Sequence, residues 1–150
     1  MPLRQLHLPH QVEDWLNELS ATLTQPASLI LIGSGALLWH AAQRGLHIPL
    51  PENSMDIDPI SDDEEVIAHC YQALIGSEFE LRHGWHVNLM PTEALHHLPH
   101  DWPTRASQKK YGLLTVTVPA PQDLIVPKRL RNEPRDILHI QWTQQHLLSP

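Results

Sequence analysis

Apolar residues recur along this chain with two different periods, and the changes between them outline a fold. Residues 10–24, HQVEDWLNELSATLT, place Val12, Trp15, Leu16, Leu19 and Leu23 at helical spacing, which predicts an amphipathic opening helix stopped at Gln25-Pro26. SLILIG (28–33) is a short continuous apolar run ending in glycine and predicts a buried strand. Gly33-Ser34-Gly35 reads as the turn, and ALLWHAAQRGL (36–46) as a helix closed by Gly45. Beyond the proline-rich loop HIPLPENS, the segment MDIDPI (55–60) predicts a second strand. Ser61 and Asp62, with Glu64 placed for a capping box, then open a helix that runs to Gly76. FELRHG and WHVNLM predict two strands joined by a tight turn at His83-Gly84. TEALHHL reads as a short helix, DWPTRASQKKYG as a polar, basic loop, and LLTVTVP as a strand with threonine at period two. A helix then starts at Pro121, a position where proline is tolerated, with Pro127 as an interruption or a second start. EPRDILHIQWTQQHLL closes the chain as a helix, with Ile137, Ile140, Trp142, Leu147 and Leu148 available for packing. This order predicts an α+β (mixed α/β) sheet flanked by helices, in one domain over 1–150 with its core at about 28–145.

The strand MDIDPI raises the first chemical question. A strand alternates its faces, so Asp56 and Asp58 point the same way while Ile57 points the other. Two carboxylates on one face repel and raise each other's pKa unless positive charge sits between them. Three readings fit: a divalent cation held by both, an edge strand carrying two solvated acids, or a turn before Pro59. The Gly33-Ser34-Gly35 turn raises the second. A strand running through glycines into a helix presents free N–H groups and the positive end of the helix dipole, a place for a phosphate. Glycine serves equally where the chain only needs a tight turn.

Composition narrows the class. With 150 residues, 41% hydrophobic and 18% charged, the chain is long enough for one core and too apolar to stay disordered. No apolar run reaches the roughly 20 residues a membrane helix needs. The start MPLRQLHLPHQVEDWL lacks the apolar stretch of a signal peptide. The single cysteine, Cys70, excludes an internal disulfide and suits a reducing compartment, so the expected setting is cytoplasmic with Cys70 a buried structural thiol. Net charge is −7, which argues against broad DNA or other non-specific nucleic-acid binding. The charge is uneven: 13 acids against 3 arginines over residues 1–100, and 4 acids against 7 lysines and arginines beyond. An acidic centre facing a basic final third suits a metal on one side and a phosphate on the other. None of the 12 histidines stands in a zinc motif, although His96, His97 and His100 lie close enough in sequence for a transition metal.

The glycine turn LIGSGALLWHAAQRGL, the strand SMDIDPI and the later stretch APQDLIVPKRLRNEPRDILHI occur in the order and spacing of a known family. Together they resemble the nucleotidyltransferase fold of the polymerase-β-like superfamily. The form is similar to the compact bacterial branch found in toxin–antitoxin and abortive-infection modules. The resemblance covers residues 30 to about 145. It implies transfer of a nucleoside monophosphate from an NTP to a protein or RNA acceptor. Asp56 and Asp58 would hold Mg²⁺ or Mn²⁺, Gly33 and Ser34 would contact the nucleotide phosphates, and Lys128 would approach them as a point charge. Asp136 would orient its helix. The family's third carboxylate falls at or near Asn88 on the strand WHVNLM, and asparagine lends an oxygen but neither a base nor a negative charge. Glu80 and His86 are candidate substitutes, set against ordinary strand pairing. His139 stands where another acid is expected after Arg135-Asp136. Arg105, Lys109 and Lys110 are the candidate acceptor contacts, set against a solvated loop. The strand WHVNLM or the opening helix could seat a second copy or a cognate partner protein. Beside the active enzyme stand two other readings: a degenerate fold that binds a nucleotide or protein in the manner of an antitoxin, and a small interaction protein with an incidental Asp-x-Asp.

Overall fold

A computed structural model describes residues 6, 8–51 and 56–148. The opening helix α1 (Pro9–Thr22) leads into β1 (Ala27–Ile32), which passes directly into α2 (Gly33–Gln43). Then come β2 (Asp56–Ile60), α3 (Glu64–Tyr71), α4 (Glu78–His83) and β3 (His86–Val87). Two 3-10 turns, Thr92–His97 and Trp102–Arg105, precede the hairpin of β4 (Ser107–Tyr111) and β5 (Leu114–Val118). The chain closes with α5 (Pro121–Arg131), α6 (Pro134–Thr143) and a π turn, Gln144–Leu148. The five strands form one mixed sheet in the order β3-β2-β1-β5-β4. β1 runs parallel to β5 and antiparallel to β2, β2 runs parallel to β3, and β4 is antiparallel to β5. The α+β class expected from the pattern is the class found.

Period two decides which sheet face is covered. Leu29 and Leu31, Ile57, Val87, and Leu114, Val116 and Val118 point into the core, against Trp15, Leu16 and Leu19 of α1, Leu37 and Leu38 of α2, and Val66 and Cys70 of α3. Each such aliphatic side chain contributes about 2 kcal/mol by leaving water. The alternate positions, among them Ser28, Ile30, Asp56, Asp58, Thr115 and Thr117, face the less covered side and stay partly exposed. Burial pushes the Cys70 thiol up to about 12, as suits an inert core residue. Among the described residues no helix is long and apolar enough to cross a membrane.

Five expectations need correction. FELRHG is not a strand but helix α4. The Ser77 hydroxyl accepts from the Glu80 N–H at 3.2 Å, and Gly84, left-handed at φ 77°, closes the last turn through its N–H to Glu80 O at 2.7 Å. The strand expected over WHVNLM is only His86–Val87. DWPTRASQKKYG is not all loop: its second half is the edge strand β4, turned into β5 at Gly112 (φ 57°). Lysines on such an edge read as loop while discouraging further strand pairing. Gly33-Ser34-Gly35 is the first turn of α2 itself, and α3 begins after Asp63 and ends at Tyr71 rather than Gly76. Met55, expected to open β2, lies outside the described residues. In the closing helix Trp142 and Leu147 are buried, whereas Ile137 and Leu148 are exposed.

Candidate active site

The antiparallel register of β1 and β2 pairs Ile32 with Asp58, so the carboxylate strand lies against the start of α2. Gly33 there has φ 75°, and a Cβ on it would overlap the Asp58 carboxylate. Only glycine lets turn and carboxylate approach this closely. Asp58 is pushed up to about 7, first by burial, then by the charge of Asp56 and a hydrogen bond between the two. The Asn88 amide and the Lys128 charge pull the other way without cancelling these. Asn88 Nδ2 donates to Asp58 Oδ1 at 3.3 Å and also contacts Met90 Sδ at 3.2 Å.

The facing wall is built by α5 and α6. Lys128 is buried, and its Nζ donates to Ser34 Oγ at 2.8 Å and lies 4.0 Å from Asp136 Oδ1. Burial lowers its pKa to about 8, with Asp136 opposing the shift. Asp136 takes a bidentate pair from Arg131 at 2.8 and 2.5 Å and accepts the Glu133 N–H at 3.1 Å, which fixes the first turn of α6. The Arg131 guanidinium is the first cause of an Asp136 pKa near 2. Ser34, 7% exposed, lies between Lys128 and the fully buried His139, whose Nδ1 is 3.1 Å from the serine oxygen.

Between the walls is a cleft of about 290 Å³. Gly33, Ser34, Asp56, Asp58, Asn88 and Lys128 all line it, so the six residues singled out in the sequence come together. Arg131 and Arg135 extend the basic side, Met90, Ala94, Leu98, Leu124 and Pro127 form an apolar side, and His97 also lines it. A cleft with two acids on one wall, three cations opposite and an apolar shelf suits an anionic ligand that also carries an apolar part.

Other candidates lie elsewhere. Glu80 and His86 pair with each other at 2.7 Å, and neither lines the cleft, although His86 sits beside Asp56 in the β2–β3 register. Arg105 is engaged by two carboxylates, Asp101 and the buried Asp123, at 2.8–2.9 Å, which staples the second 3-10 turn to α5. Lys109 turns toward Glu13 and Gln43. Lys110 pairs in register with Thr115 and is exposed. Among the described residues no group of three or more His, Cys, Asp or Glu is placed to share a metal, so His96, His97 and His100 form no such site. Sequence reasoning passed over Arg131 and took His139 only as a missing acid. The signal for His139 was the inward face of α6, where it lies three residues from Asp136, whereas Arg131 ends α5 and meets Asp136 across the turn between the two helices.

Residues 10–148 match a family model described as a nucleotidyltransferase of unknown function (DUF6036). No curated protein and no solved structure gives a match.

Proposed function

Because the chain belongs to this DUF6036 nucleotidyltransferase family, we propose that the cleft binds a nucleoside triphosphate and transfers its nucleoside monophosphate to a protein or RNA acceptor. The single observation that carries this reading is the meeting of Asp56 and Asp58 with the Gly33 turn and Lys128 in one cleft. The raised Asp58 pKa supports a bound cation: burial first, and then the neighbouring Asp56 carboxylate, disfavour its charged form, and an ion between the two would relieve both. Two carboxylates suit Mg²⁺ or Mn²⁺, hard cations that take the rest of their ligands from water and phosphate. Bound there, the ion would supply the positive charge that phosphoryl chemistry needs at the transferring group.

The chain's own residues divide the remaining work. The first N–H groups of α2 and the Lys128 ammonium bind the phosphates, with Arg131 and Arg135 alongside. The apolar shelf receives the nucleoside. Asn88 steadies Asp58 by donating to it. The Asn88 contact also favours a second reading, since an amide here cannot activate an acceptor hydroxyl. In that reading the fold is a catalytically degenerate, antitoxin-like subunit that binds a nucleotide or a protein. A role in a toxin–antitoxin or phage-defence module, in the cytoplasm, belongs to either reading.

Calorimetric titration with each NTP, with and without Mg²⁺, tests the site. The expected result is Mg²⁺-dependent binding that the Asp56→Ala/Asp58→Ala double variant loses. Nucleotide-independent behaviour of both proteins would remove the reading. Transfer of label from NTP to protein or RNA then separates enzyme from binding subunit.

A further inference from the structure

The region around Ser34 holds a buried relay that neither the family description nor the proposed transfer uses. Three distances define it. Lys128 Nζ is 2.8 Å from Ser34 Oγ, Ser34 Oγ is 3.1 Å from His139 Nδ1, and His139 Nε2 is 2.8 Å from the carbonyl oxygen of Pro51. Ser34 and Lys128 are at most 7% exposed and His139 is 0%.

The direction of each hydrogen bond follows from what each group can do. A carbonyl oxygen only accepts, so His139 Nε2 carries a hydrogen and donates it to Pro51. Lys128 Nζ lies 3.4 Å from His139 Nδ1. A buried ammonium at that distance is stable only if Nδ1 offers a lone pair, because an imidazolium would place two cations in contact. His139 is therefore neutral and its Nδ1 accepts. That nitrogen has one lone pair, and both the Ser34 hydroxyl and the Lys128 ammonium face it, while the serine oxygen accepts from Lys128. Lys128 has three hydrogens, of which Ser34 holds one, and the residue also lines the cleft.

We propose that Ser34 and His139 are positioning residues that aim the Lys128 amine at the triphosphate. This rests on the nucleotide reading above. The relay reaches further than the serine. Pro51 lies on the loop that leads toward β2, so His139 joins the phosphate side of the cleft to the approach of the carboxylate strand. A carboxylate in place of His139 could accept from Ser34 but has no hydrogen for Pro51. Histidine does both, and among other side chains a glutamine amide also offers an acceptor and a donor.

The test has two arms on the full chain. In the first, without nucleotide, trinitrobenzenesulfonate labelling of Lys128 is followed by peptide mass. Ser34→Ala and His139→Ala should each raise the Lys128 rate several-fold, and His139→Gln, which keeps an acceptor and a donor, should stay near wild type. An unchanged Lys128 rate in Ser34→Ala and in a folded His139 variant overturns the proposal, whatever the ligand. In the second arm, Mg²⁺–NTP affinity is measured in a double-mutant cycle. Lys128→Met should lose about tenfold or more, and Ser34→Ala a smaller factor. In the Lys128→Met background, Ser34→Ala and His139→Gln should then cost nothing more. Equal losses in both backgrounds would make Ser34 a direct phosphate ligand and overturn the proposal. If wild type binds no nucleotide, the transfer reading fails, and the labelling arm still decides whether the relay holds Lys128.

Discussion

Asp58 and Asp136 are the two carboxylates that act on Lys128, and their surroundings drive them in opposite directions. Asp136 has Arg131 on both oxygens and a backbone donor, and its pKa falls to about 2. Asp58 is pushed up to about 7 first by burial and then by the acid beside it, against only a weak amide donor and the Lys128 charge. The first is satisfied within the chain, as a residue that holds two helices together should be. The second is buried beside a like charge with little to offset it, which is the state the proposed cation would relieve. Perturbation in this direction, in a cleft, marks a functional carboxylate better than the identity of the residue does.

The comparison breaks most sharply at Asp58. Asp58→Asn should cost Mg²⁺-dependent NTP binding about 4 kcal/mol, near a thousandfold, while thermal stability without metal holds or rises as the repulsion disappears. Full retention of Mg²⁺-dependent binding, read by calorimetry, would end the metal assignment. Asp136→Ala should do the reverse, costing about 3 kcal/mol of unfolding free energy in a urea titration because the buried Lys128 loses its counter-ion and the Arg131 pair that joins the two helices is lost. Gly33→Ala comes next, at about 1–2 kcal/mol for the left-handed backbone alone. Its displacement of Asp58 should appear as weaker Mg²⁺ binding in the same titration.

The pH profile of stability separates the two acids without mutation. Asp136 has a folded pKa below its ordinary 3.8, so the folded state binds fewer protons there. Its contribution is full above about pH 4 and is lost as pH falls toward 2. Asp58 has a folded pKa above 3.8, so the folded state holds a proton that the unfolded state has released. Its contribution is present below about pH 4 and declines as pH rises toward 7. Urea unfolding at pH 3, 5 and 7 should show both slopes, and Mg²⁺ should flatten only the upper one. The smallest change is Asn88→Asp. A third acid should tighten Mg²⁺ binding by a few-fold and lower metal-free stability by about 1 kcal/mol through like-charge repulsion. New label transfer in that variant would favour the degenerate reading of the native chain.

Much of this molecule is written locally. The helical spacing of Val12, Trp15, Leu16 and Leu19, and the period-two Leu114, Val116 and Val118, fix their elements through neighbours a few residues apart. Even the error over α4 was local, since Ser77 and Gly84 are a cap and a terminator that apolar alternation concealed. The shared face of Asp56 and Asp58 follows from strand geometry alone. What sequence could not supply is which charges meet. Ser34 and His139 are 105 residues apart, and Arg105 is occupied by Asp123 only because the second 3-10 turn folds onto α5. β4 became a strand by finding β5, and its lysines carry no sign of that pairing. Charge state, burial and hydrogen-bond direction depend on distant partners brought within about 3–4 Å, where desolvation makes each interaction strong. The order of elements was therefore set by the sequence, and the difference between a charge-paired Asp136 and a proton-holding Asp58 by tertiary packing.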